Sequence, residues 1–217
     1  MHDMIGKIGR HIFFATFVPR KIKQAYYKFY YKILFSLAGV EYGKNMDVST
    51  KITLKKYSGA EFAIGDDFIF ASGDSINPIS RNIRGCIFVN TNARLHIGND
   101  VGISSACIWC DESITIGNHV RIGGDCVILD TDCHSLNYAD RRQIGSDQKG
   151  TNTKPVRIGD DVLIGARTMI LKGVTIGDRS VIGAGSIVTQ DIPSDCVAAG
   201  NPCKVIRFIN GNESSAD

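Results

Sequence analysis

No apolar stretch in this 217-residue chain approaches the ~20 residues a bilayer-spanning helix needs. The apolar run at residues 12–18 is short, closed by Pro19 and followed by basic residues, so it does not read as a secretory signal. Proline is scarce, 5 residues against 23 glycines, which points to many tight turns rather than a disordered linker. The seven cysteines are odd in number and irregular in spacing. That argues against a secreted disulfide framework and for a reducing, cytoplasmic setting. There is no P-loop and no Gly-x-Gly-x-x-Gly after a strand, and basic residues in the repeat described next alternate with acids, so nucleic-acid binding is not indicated. Cys107-Ile-Trp-Cys110 is a lone CxxC with no second pair, and its cysteines read as small buried hydrophobes. Asn212 opens a glycosylation sequon that, without a secretory route, reads as chance.

What is present is an internal repeat. From residue 158 an aliphatic side chain returns every sixth position: Ile158, Ile164, Ile170, Ile176, Ile182 and Val188, with Gly159, Gly165, Gly177 and Gly183 behind four of them. The same phase runs through Ile116, Ile122 and Ile128, while Ile97 and Ile103 form an earlier run offset by one residue. A period of six suits neither a 3.6-residue helix nor strands joined by short hairpins. It suits a chain that runs straight and turns a corner every sixth residue, three corners to a coil, with the aliphatics stacked inward. Glycine, Asn and Asp near the corners are expected to tolerate the corner backbone. The class is therefore all-β, a parallel β-helix.

These residues resemble the hexapeptide-repeat acyltransferases, most closely sugar O-acetyltransferases of the maltose/galactoside and polysaccharide-modifying type. The similarity runs from about residue 97 to Arg207. It is carried by Asp130-Thr-Asp-Cys-His-Ser135, Lys154-Pro-Val-Arg-Ile-Gly159, Gly173-Val-Thr-Ile-Gly177, Ile182-Gly-Ala-Gly-Ser-Ile-Val188 and Gly200-Asn-Pro-Cys-Lys-Val-Ile-Arg207. The resemblance implies a left-handed β-helix, against the usual right-handed crossover, a homotrimer with sites between prisms, and acetyl-CoA as acyl donor to a sugar hydroxyl. It implies His134 as general base and cofactor contacts at Ala166, Ala184, Thr189, Gln190, Lys204 and Arg207. Relatives commonly carry Lys at Gln190 and Trp at Leu163, so one phosphate contact and the acceptor pocket differ here.

The chemistry fits the residues. An alcohol attacking a thioester must lose a proton, and a neutral imidazole with a reference pKa of ~6.5 can take it. His134 opens an interruption of the repeat, a protruding loop at about 133–157, and loops extruded from repeats often build sites. In extended chain Asp132 points to the same side as His134 and Cys133 to the other. Asp132 is thus a candidate to orient the ring, with Asp130 or a main-chain carbonyl as alternatives, and a cysteine acyl-enzyme is disfavoured. The oxyanion donor is expected to be a backbone N–H of a neighbouring coil.

Other readings are an amino-sugar N-acetyltransferase, a serine or antibiotic O-acetyltransferase, a non-catalytic β-helix scaffold and a zinc carbonic-anhydrase-like enzyme. The last wants histidines close together, whereas His96, His119 and His134 lie 23 and 15 residues apart, so no metal is expected.

Three regions follow: a helical segment at 1–42, the β-helix at 43–210 and a polar tail at 211–217. The net charge of +3 is uneven, since residues 1–40 carry seven Lys and Arg against Asp3 alone, together with half of the aromatic residues. Ile22, Tyr26, Phe29, Ile33 and Leu37 form one apolar helical stripe, with Pro19 suited to the first turn and Gly39 to the end. Lys21, Lys28 and Lys32 share another face. This helix is expected to cap the open end of the prism, to make peripheral contact with the inner membrane surface, or both.

Overall fold

The computed structural model describes residues 2–73 and 83–209, with side chains from Arg20 onward. The expected tail at 211–217, its sequon, and the side chains of His2 and His11 lie outside the described residues.

After the N-terminal helix α1 (His2–Leu37) the chain visits three parallel sheets in strict rotation. The first sheet holds β1 (Glu41–Tyr42), β4 (Glu61–Ile64), β7 (Arg94–Ile97), β10 (Ser113–Ile116), β13 (Val156–Ile158) and β16 (Thr175–Ile176). The second holds β2 (Asp47–Val48), β5 (Ile69–Ala71), β8 (Gly102–Ser104), β11 (Arg121–Ile122), β14 (Leu163–Ile164), β17 (Val181–Ile182) and β19 (Cys196–Gly200), closed by the antiparallel β20 (Cys203–Phe208). The third holds β3 (Thr53–Lys56), β6 (Cys86–Val89), β9 (Cys107–Cys110), β12 (Val127–Leu129), β15 (Met169–Ile170) and β18 (Ile187–Val188).

The six-residue period sorts itself among these sheets. Ile97, Ile116, Ile158 and Ile176 are register partners in the first, Ile103, Ile122, Ile164 and Ile182 in the second, and Ile108, Ile128, Ile170 and Val188 in the third. All are buried in one continuous aliphatic core. The one-residue offset of the earlier run is the net of a corner one residue short between Ile103 and Ile108 and a corner two residues long, at Asp111 and Glu112, between β9 and β10. The amides of the longer corner are satisfied from the next coil: the N–H groups of Asp111, Glu112 and Ser113 donate to the Asp130 carboxylate at 2.7, 2.8 and 2.7 Å. Asp130 is wholly buried, and burial pushes its carboxyl up while these three donors oppose the shift.

The glycines that follow the inward isoleucines serve space more than conformation. A Cβ on Gly117 would lie 2.7 Å from the backbone carbonyl of Gly159 in the next coil. Left-handed corner positions are instead taken by residues such as Asp67, Asp100, His119, Asp161 and Arg179, with φ between 51 and 58°. Beside them a polar ladder climbs the corner. Asn99, Asn118, Asp160 and Asp178 each accept the N–H of the corner residue one coil earlier, at 2.6–2.9 Å.

Helix α1 corrects two expectations. It runs through Pro19, because Ile5, Ile8 and Ile12 already carry a three-to-four-residue apolar spacing upstream. It caps the coils with a face other than the expected stripe. Tyr31 and Phe35 are buried, and Tyr27, Leu34 and Ala38 pack beside them. The Tyr31 hydroxyl accepts Ile52 N–H and donates to Ile52 C=O, both at 2.8 Å, and Phe35 meets Tyr42 and Phe62 edge-on or tilted. At the helix end Gly39, at φ 64°, donates to Ser36 C=O while Val40 N–H reaches Phe35 C=O, a Schellman arrangement. No helix among the described residues is long and apolar enough to cross a membrane.

Candidate active site

The interruption of the repeat spans 130–155, and Val156 and Arg157, expected in the loop, belong to β13. The interruption is structured, with a 3-10 turn (Asp140–Arg142) and a short helix α2 (Ile144–Gly150). Its base is pinned. Thr131 bridges Thr153, Asp132 N–H donates to Asn152 C=O at 3.0 Å and Lys154 N–H to Asp130 C=O at 2.9 Å. Inside, Ser135 Oγ donates to Asp140 Oδ2 at 2.9 Å, and Arg141 donates to Ser135 C=O at 2.6 Å.

His134 stands at the mouth of this loop with 69% of its side chain exposed. Its Nδ1 lies 2.7 Å from Oδ2 of Asp147, and Oδ1 of the same carboxylate accepts Ser135 N–H at 2.7 Å. The imidazole beside it and the Ser135 amide hold the Asp147 carboxyl below its ordinary value. A carboxylate only accepts, so in the neutral ring the proton belongs on Nδ1 and Nε2 is the nitrogen left to accept.

The sequence expectation had been Asp132, and the geometry corrects it. Cys133 adopts φ 61°, which breaks the extended alternation that would place Asp132 and His134 on one side. Asp132 instead pairs with Lys172 Nζ at 3.0 Å, and its Oδ2 is buried with no hydrogen-bond partner. Asp130 is committed to the β9–β10 corner. Asp147 could have been noticed in the sequence only as an acid in a loop stretch with no repeat to fix its place. Burial first, then the nearby Asp111 and Asp132, push the Cys133 thiol up, away from the thiolate form.

Of the remaining candidates four line the two edges of the third sheet and two lie on β20 of the second. Ala166 and Ala184 stack at the corner before it, where a Cβ on Gly165 would come within 2.4 Å of Ala184 N. Thr189 and Gln190 follow β18 on its other edge, the edge that also carries His134 and Lys172. Lys204 and Arg207 lie exposed on β20, paired with Ala199 and Val197. An open groove of about 530 Å³ runs along the outer face of the second sheet past Ile69, Gly102, Arg121, Leu163 and Ala166. The geometry within one chain thus separates His134 from Ala166 and Ala184 by the width of the third sheet.

His96 faces outward on β7, His119 binds Asp100 at 3.0 Å on a different corner, and Cys107 and Cys110 point to opposite sides of β9. Among the described residues no group of three His, Cys, Asp or Glu is arranged to hold a metal.

Residues 155–190 match the family model for the hexapeptide repeat of succinyl-transferase. The chain is 41% identical over 128 residues to the galactoside O-acetyltransferase of Escherichia coli strain K12, covering 58% of this chain and 60% of that one. A solved structure of a galactoside acetyltransferase in complex with coenzyme A is 31% identical, with a TM-score of 0.51 over 78% of this chain and 65% of its own. Along its coils the chain is similar to hexapeptide-repeat acetyltransferases. A polySia-specific acetyltransferase is a further structural relative, 26% identical with a TM-score of 0.51 over 78% of this chain and 70% of that one. The chain spans 47–60% of the length of the curated relatives it matches. The curated similarity is thus to part of those proteins, whereas the solved galactoside acetyltransferase shares the coil fold over most of this chain.

Proposed function

We propose that this protein transfers acetyl from acetyl-CoA to a hydroxyl of a sugar, with His134 as general base. The observation that carries the reading is the His134–Asp147 pair, which fixes the proton on Nδ1 and leaves an unprotonated Nε2 exposed. Nε2 takes the proton as the hydroxyl oxygen attacks the thioester carbonyl. The tetrahedral intermediate collapses with cleavage of the C–S bond, and the imidazolium returns the proton to the departing thiolate. Asp147 orients the ring and offsets its transient charge. The raised Cys133 thiol favours this direct transfer over a covalent acyl-enzyme.

The three-sheet rotation and the likeness to hexapeptide-repeat enzymes support a closed left-handed β-helix that begins at β1 (Glu41–Tyr42), two residues earlier than the expected boundary at 43, with α1 (His2–Leu37) as the helical segment ahead of it. They also support a homotrimer. From β6 onward the third sheet turns mostly apolar, half-buried residues outward, among them Phe88, Trp109, Val127, Leu129, Met169 and Ile187, with Thr53 and Lys55 on β3 the polar start of that face, whereas the outward residues of the first sheet are polar, such as Glu61, Arg94, His96 and Arg157. Copies packed by their third sheets would bring His134 on one edge of a prism to Ala166 and Ala184 on the opposite edge of its neighbour. Thr189, Gln190, Lys204 and Arg207 would complete the acetyl-CoA contacts. The reading places the protein in the cytoplasm, free or at the inner membrane surface.

The test is thiol release from acetyl-CoA by the purified protein with sugars, amino sugars, serine and chloramphenicol as acceptors. Release with a hydroxyl sugar, lowered about 10²–10⁴-fold in His134→Ala and retained in Cys133→Ser, is the expected result. Full turnover by His134→Ala would overturn the assignment, and release with an amino sugar alone would move the reaction to N-acetylation.

A further inference from the structure

Helix α1 has two apolar faces, and the coils use one. Tyr27, Tyr31, Leu34, Phe35 and Ala38 face the core. Rotated about half a turn away lie Ile22, Tyr26, Phe29, Tyr30, Ile33 and Leu37, exposed by 66, 59, 68, 42, 45 and 81%. Tyr26 and Tyr30 stack on each other at 6.0 Å, one turn apart on this outer face. The strip from Ile22 to Leu37 is about 24 Å long at 1.5 Å per residue. Single exposed apolar residues are ordinary, but six contiguous ones on one face are not.

We propose that this outer face docks the protein on a lipid bilayer rich in anionic headgroups. The argument is charge complementarity. On the helical wheel Lys32 borders the strip on one side and Lys23 on the other, while Lys28 turns toward the coils and pairs with Asp47, and residues 1–40 hold Asp3 as their sole acid against seven Lys and Arg. An amphipathic helix lying in the interface buries its apolar side at the headgroup boundary while flanking lysines meet lipid phosphates. Tyrosine suits that depth, since its ring is apolar and its hydroxyl stays wet. A second copy is the poorer occupant. Two such strips face to face would bring two strongly basic segments together, whereas an anionic surface neutralises them. With its inner face engaged by the prism end, the helix holds the coils against the surface.

The inference is independent of the catalytic reading, because binding is measured without acetyl-CoA. Full-length protein is pelleted with vesicles of phosphatidylcholine containing phosphatidylglycerol, and with vesicles of phosphatidylcholine alone. Binding to the anionic vesicles and its release by about 0.5 M salt are expected. Each basic residue near the surface is worth about fivefold in binding, so Lys23→Gln with Lys32→Gln should weaken it about 25-fold. Phe29→Ser, which removes an exposed ring, should weaken it about tenfold. Both variants should keep the parent's far-UV circular dichroism, oligomeric mass and thiol release with a soluble acceptor. No pelleting with anionic vesicles, or equal binding to neutral ones, would overturn the proposal. So would a lower oligomeric mass in Phe29→Ser, which would assign the strip to a second copy.

Discussion

Replacing Asp147 by Asn is the sharpest probe of the proposed chemistry, because it keeps the side chain's size and removes its charge. The carboxylate accepts two hydrogen bonds at 2.7 Å, one on each oxygen, from His134 Nδ1 and from Ser135 N–H. Asparagine offers one oxygen and one amide nitrogen. If its oxygen serves His134, the NH₂ faces the Ser135 donor, and the backbone under the histidine shifts. If its oxygen serves Ser135, the NH₂ donates to Nδ1 and moves the ring proton to Nε2, the position the base must keep free. Either way a charge-assisted bond of about 1.5–3 kcal/mol is lost. With 1.4 kcal/mol per decade, kcat should fall about 10- to 10²-fold. The assay is steady-state thiol release with a sugar acceptor, together with a melting curve to establish that the coils stay folded. Asp132→Asn is the paired control, since that carboxylate meets Lys172 rather than the histidine. A folded Asp147→Asn enzyme within twofold of the parent, with Asp132→Asn impaired as strongly as His134→Ala, would refute the orienting role of Asp147.

Three further outcomes are expected. Asp130→Ala strands three half-buried backbone N–H groups at the Asp111–Ser113 corner, and at about 1 kcal/mol each, the low end for unsatisfied groups, it should lower urea stability by about 3 kcal/mol. Gly117→Ala drives a Cβ to 2.7 Å from the Gly159 carbonyl and should cost about 1–3 kcal/mol in the same titration, whereas Gly145→Ala, with nothing within 4 Å, should be neutral. Asp100, Asp147 and Asp195 are each held below the ordinary carboxylate value by a His or Arg partner. Depressed carboxyls bind fewer protons folded than unfolded, so the stability they contribute is present above about pH 4 and is lost as pH falls through their folded values. Melting temperature followed from about pH 6 to about pH 3 should therefore decline, and Arg179→Ala, which frees Asp195, should flatten that decline.

The coils were legible in the sequence because their cause is local and repeated. Each coil must place one aliphatic residue inward on each of three faces, and that demand is written every sixth residue from Ile158 to Val188. His134 was legible because it breaks such a pattern, and Gly39 because the helix end needs a left-handed residue there. The partner of His134 was not. It depends on the left-handed turn at Cys133, which cancels the alternation argument for Asp132, and on the fold-back of α2, which carries Asp147 over thirteen residues of aperiodic sequence. Asp130 looked like chemistry because it shares a motif with His134, but the neighbouring coil's donor-rich corner claims its carboxylate. The glycine rule was read as conformational freedom, whereas coil stacking makes it a matter of space. Helix α1 displays two apolar faces in its sequence, and periodicity cannot say which one is buried. That choice was made by the shape of the prism end, where Tyr31 finds the Ile52 backbone and Phe35 finds Phe62.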